Sequence, residues 1–198
     1  MDRADFTKKY WRYYILLENK FITTLNYVEL TEDNFSTYSV EYAHQMLSIG
    51  SELDTFFKIY CNFPLENRKS INDYTKSILN TYPEIKTQKI QVLNTGIQLD
   101  PYVEWQNFNP NSPKNVLRWW DSYNAIKHNR QENLKCASMG NVITSLSALY
   151  LIEMKYLQII TEGKKEMDEP DTDSKLFKLE DWKFNYSIVD YVMEYYLK

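Results

Sequence analysis

Glycine and proline are scarce, four and six residues in a chain of 198. Sandwiches and propellers turn often and place such residues at their turns, so the scarcity excludes those classes and leaves long helices with few connections. Cysteine is nearly missing. Cys61 and Cys136 are the only two and stand at no metal-ligand spacing, which excludes a disulfide framework and a zinc pattern. No phosphate-cradling glycine loop and no nucleophile elbow occurs. Positive charge is not in excess either: the formal net charge is −4, so no global field draws nucleic acid or anionic lipid, and a polyanion site has to be local. Met-Asp-Arg-Ala-Asp at the N-terminus lacks the basic-then-apolar order of a secretory signal, and the most apolar stretch, 142–160, is interrupted by Glu153 and Lys155. The expectation is a soluble, cytoplasmic protein without a membrane span, metal or cofactor.

Aromatic residues are abundant, with seventeen Tyr and five Trp, and their polar edges suit the margins of a core. The length fits one domain over 1–198. Phe6, Tyr10, Tyr13, Tyr14, Leu17, Phe21, Leu25 and Val28 recur at three and four, which predicts a helix over about 6–27. A second long pattern runs over 36–60, with Tyr42, Ala43, Met46, Leu47, Ile49, Leu53, Phe56, Phe57 and Tyr60 turned inward. A shorter helix is predicted over about 68–81, closed by Pro83. Ile90, Val92, Ile97 and Leu99 alternate around Asn94-Thr-Gly96, the mark of a β-hairpin at about 88–100. Residues 100–113 read as an ordered loop anchored by Tyr102, Trp105 and Phe108. Ser112-Pro113 suits the start of a helix running to about 129, and another long helix is predicted over 133–161. Residues 162–174 carry little to bury and read as an exposed loop, and an aromatic run at 186–197 reads as a final helix. The fold class expected is mainly α: an antiparallel bundle of about four long helices with a small β-hairpin and a C-terminal helix.

One stretch, 119–130, concentrates unusual residue types. On a helix, Trp119, Trp120, Tyr123 and Ile126 form an apolar arc, with Asp121, Asn124 and His128 along one shoulder. The same projection sets Lys127 inside the arc and Arg130 near its other edge. Cations near a core need a partner, and the second long helix offers Asp54 with Lys58, Ser51 and His44 on one shoulder and Glu52 on the other. Lys127 is therefore expected to pair with Asp54 or, second, with Glu52. These groups fit a buried polar network that fixes helix register, with no ligand at all. They fit equally a phosphate site, in which Lys127 and Arg130 compensate charge, His128 transfers protons and Asn124 orients either one. Over 114–135 five Lys or Arg, including Arg118, face only Asp121 and Glu132, a local positive surplus in an acidic chain. Trp119 and Trp120 suit core anchors better than base-stacking platforms, and His44, without a second His or Cys at ligand spacing, suits a satisfied surface position.

Ser51-Glu-Leu-Asp54 followed by Phe57-Lys58, and then Trp120-x-x-Tyr-Asn-x-x-Lys-His-x-Arg130 opening onto a long helix, resembles the HEPN superfamily of helical-bundle proteins. The likeness covers about 6–161. It implies a homodimer and RNA as partner, in many members with metal-independent ribonuclease activity in toxin-antitoxin or phage-defence systems. The family's catalytic Arg stands four to six residues before a His. Here Arg118 precedes His128 by ten positions and Arg130 follows it, so only His128 carries over directly, with Asn124 as a match for the family's polar residue. Two readings stay open: an RNA-binding or RNA-cleaving protein, and a noncatalytic module that meets a partner protein.

Overall fold

The computed structural model describes residues 1–111, 117–164 and 167–179. It is mainly helical, with a small antiparallel sheet. The first helical stretch is continuous but not uniform: α1 (Arg3–Phe6) passes through a π-turn (Thr7–Trp11) into α2 (Arg12–Thr24). The π-turn adds one residue to a turn, and this is why Phe6 and Trp11, five apart, are both buried. Trp11 then stacks on Tyr14 with ring centroids 4.7 Å apart. Tyr13, predicted to face inward, is displaced to the outside by that extra residue and is 37% exposed.

The longest helices are α3 (Val40–Tyr60) and α6 (Met139–Thr161), and their contact is the most extensive between any two elements. Each starts where a serine side chain accepts a backbone N–H of the first turn: Ser39 from Tyr42 and Ser138 from Asn141. Tyr38, just before the first cap, and Ser138, the second cap itself, pair in an isolated β-bridge, so α3 begins at Val40 instead of near 36 and α6 at Met139 instead of near 133. Helix α4 (Ile71–Thr81) opens with a reciprocal cap between Ser70 and Asp73 and gives way at Pro83 to a tight helical turn. Helix α5 (Arg118–Asn133) packs on α3 and α6. Its predicted start at Ser112-Pro113 lies outside the described residues, but Leu117 is extended, so the helix proper begins only at Arg118.

The predicted hairpin is present as β1 (Ile90–Val92) and β2 (Gln98–Leu99), with Asn94 at a positive φ of 60° in its turn. A third strand, β3 (Phe177–Leu179), pairs with the other edge of β1 and gives the order β2-β1-β3. Residues 162–164 are exposed as expected, whereas 167–176 are not a free loop. Arg3 donates to the carbonyls of Met167 and Glu169, and Trp11 Nε1 donates to that of Thr172 at 2.8 Å. The buried Glu18 carboxylate accepts from the Tyr14 and Ser174 hydroxyls and from the backbone N–H groups of Lys175 and Leu176. Four donors around one carboxylate meet its hydrogen-bonding capacity and tie residues 174–176 to α2. The predicted final helix at 186–197 lies outside the described residues. Among the described residues no helix is long and apolar enough to cross a membrane.

Candidate functional site

Helix α5 is held by its first half. Trp119, Trp120, Tyr123 and Ile126 are all buried, as the helical projection requires. Trp119 Nε1 donates to the Pro101 carbonyl at 2.7 Å, which makes this pair of tryptophans core anchors. Tyr123 lies flat against α3 at Gly50: a Cβ built there would stand 2.3 Å from the ring. Only glycine lets the two helices approach so closely.

The second half of α5 has little to bury. Asn129 leaves the helical region, with φ −152° and ψ 81°, and breaks the helix. The Asn133 side chain repairs the break by donating to the carbonyls of Ala125 (3.2 Å) and Asn129 (2.9 Å). Lys127, His128 and Arg130 are exposed on either side of this kink, with Asn124 half-buried one turn earlier. Lys127 does not pair with α3. The projection set Lys127 inside the apolar arc, but the side chain is exposed, and its ammonium stands 5.3 Å from the centroid of the Tyr123 ring, because a long stem carries the charge past the apolar edge to water. Among the described residues Lys127, His128 and Arg130 form no ion pair.

The other candidate residues lie elsewhere. Asp54 pairs with Lys58 on its own helix at 3.1 Å and accepts from the Tyr74 hydroxyl of α4 at 2.9 Å. Lys58 also donates to the Leu65 carbonyl, so this group ties α3 to α4 and the connection between them. Arg118 pairs with Glu104 at 3.1 Å. It stands ten residues before His128, about 15 Å along the helix axis, too far for both to act on one phosphate. Near that end, burial and the Glu104 charge push Asp121 above the usual carboxylate range. His44 is exposed, with only Glu41 nearby at 3.9 Å. The candidate set thus divides, and Asn124, Lys127, His128 and Arg130 are the ones that lie on the second half of α5.

Glu52, offered as a second partner for Lys127, turns instead toward α6 and the π-turn, where Glu153 and Tyr10 feel its charge. Glu153 is fully buried, and neither carboxylate oxygen has a hydrogen-bond partner among the described residues. Burial first, and the Glu52 charge second, push its carboxyl well above the usual range. Sequence reasoning noticed Glu153 only as an interruption of an apolar stretch. A lone carboxylate in the middle of such a helix was the available signal.

Among the described residues, no group of three or more His, Cys, Asp or Glu side chains is placed to hold a metal ion. Compared with known proteins, the chain matches no family model, no curated protein and no solved structure.

Proposed function

We propose that this chain is a HEPN-like RNA-binding protein and that the outer end of α5 makes the contact. The observation that carries the reading is the exposure of Lys127, His128 and Arg130, on either side of the break at Asn129, without an ion pair among the described residues. Side chains of a register-fixing network would be enclosed and paired within the chain, and these are neither. Exposed, unneutralised cations are what a phosphate backbone meets first. The imidazole between them is able to hydrogen-bond a 2′-hydroxyl or phosphate, and Asn124 borders the same surface.

The four longest helices, α2, α3, α5 and α6, are read here as the HEPN-like bundle that carries this ridge. Cleavage asks for more than one copy supplies. Metal-independent transesterification needs a proton acceptor at the 2′-oxygen and a donor at the leaving oxygen on the far side of phosphorus. One His128 with no Arg at the family's spacing provides half of that, so the cleaving form is a two-fold dimer that brings two ridges onto one RNA. A cytoplasmic setting in bacterial defence or a toxin-antitoxin pair belongs to the same reading and follows from the resemblance.

Incubating the protein with mixed RNA in EDTA, with sedimentation at the same concentrations, tests this directly. We expect cleavage by a dimer and a loss of roughly a hundred- to ten-thousand-fold in rate for His128→Ala, with an unchanged melting temperature. Binding without cleavage would reduce the reading to its RNA-binding half. A monomer that neither binds nor cleaves RNA would remove it.

A further inference from the structure

Three stretches far apart in sequence enclose a cleft of about 300 Å³: Leu93 after β1, the middle of α6, and residues 169–179. That volume is at the small end of ligand sites. Tyr150, Met154 and Phe177 are buried side chains on its floor, and the Tyr150 and Phe177 rings lie 5.6 Å apart. The outer wall is an irregular segment, yet it is fixed at both ends. The Arg3 guanidinium holds the Glu169 carbonyl at 2.9 Å, and Glu18 holds the backbone at Lys175 and Leu176. A site whose wall is already tied down gives up little ordering entropy on binding.

The rim carries a definite sign. Glu169 and Asp173 both border the cleft and neither is in an ion pair among the described residues. Among the described residues that line the cleft Lys178 is the one cation, so acid outnumbers base two to one in its lining, while the Arg3 guanidinium is engaged by the Met167 and Glu169 carbonyls and by Asp171. Burial first, then the Glu18 charge and after it that of Asp173, raise the Tyr150 hydroxyl above its usual range. An apolar floor of two rings and a thioether under a negative rim recognises one kind of molecule. The body has to be apolar, and the end that faces the rim has to be positive. An anion of the same shape would meet two unneutralised carboxylates.

The geometry points to this cleft as a binding site for a small organic cation, an ammonium or guanidinium group on an aromatic or branched apolar body. The cation meets Glu169 and Asp173 while the body lies on Met154 and the Tyr150–Phe177 pair. This site is independent of the α5 ridge and of the RNA reading.

Ligand-observed NMR on the full chain tests it, with 2-phenylethylammonium as probe and phenylacetate as its anionic counterpart. The ammonium should bind and phenylacetate should not. Replacing both rim acids, Glu169→Gln with Asp173→Asn, should weaken the ammonium by about tenfold, as two partly exposed charge-assisted contacts imply. Lys178→Gln, which removes the one opposing charge from an exposed position, should tighten it, and this second variant leaves the wall contacts untouched. Equal binding of both probes, unchanged affinity in the variants, or no binding of the ammonium up to roughly 10 mM, the weak end of specific recognition, would overturn the proposal.

Discussion

Glu153 and the Lys127–Arg130 ridge put polar chemistry on opposite terms in one fold. Glu153 is buried in α6 without a hydrogen-bond partner among the described residues, and burial raises its proton affinity. Lys127, His128 and Arg130 are exposed and form no ion pair among the described residues, so the two cations are available to something outside the chain. A buried polar group acts on stability, whereas an exposed one of the same strength acts on binding. Glu18 completes the lesson: it is buried as deeply as Glu153, but its donors turn burial into a clamp.

The largest expected effect follows from Glu153. Its folded-state proton affinity is raised above the unfolded value, so its contribution to stability is fully present below the unfolded carboxylate range. That contribution falls as pH rises toward the folded value. Glu153→Gln removes the proton uptake. The variant should therefore gain on the wild type with rising pH above about 4.5, by no more than about 1.4 kcal/mol per pH unit, the one-proton limit. Urea midpoints at pH 5, 6 and 7 check it, and parallel curves for the two proteins would mean that Glu153 is ionised and paired.

Next in size is the seam between the buried and free halves of α5. Gly50→Ala drives a methyl into the Tyr123 ring, which has Trp120 against it at 5.3 Å and little room to retreat. A loss of about 1 to 3 kcal/mol is expected, read from the denaturation midpoint. A neutral result would mean that α5 rides loosely on α3 and that its outer end has no fixed position.

Much of this was legible from local pattern. Alternation at Ile90, Val92, Ile97 and Leu99 gave away the hairpin, and three-four spacing located the buried faces of α3 and α5. Other features were not legible, for identifiable reasons. The π-turn is a single added residue that only the burial of Trp11 reveals. Strand β3 is three residues long, and the chain around it is held by Arg3, Trp11 and Glu18 across more than 150 positions of sequence. Within the candidate site the expectation of an enclosed, paired Lys127 failed: a helical wheel places a Cα but says nothing of where a four-carbon stem delivers its charge. Asp54 had a nearer cation in Lys58, one turn along the same helix.

The smallest effect on stability belongs to the ridge. Lys127→Ala and Arg130→Ala should each change it by less than about 0.5 kcal/mol, because neither side chain is enclosed or ion-paired. Their effect on RNA should be the reverse. Equilibrium binding of a single-stranded RNA, measured at several salt concentrations for the wild type and the Lys127→Ala/Arg130→Ala double variant, tests this most directly. The account predicts weaker binding by the variant and a log–log salt slope shallower by about 1.4, the value for two lost phosphate contacts on a single strand. Equal affinity and equal slope would contradict it, and would mean that RNA, where bound, is held by another surface.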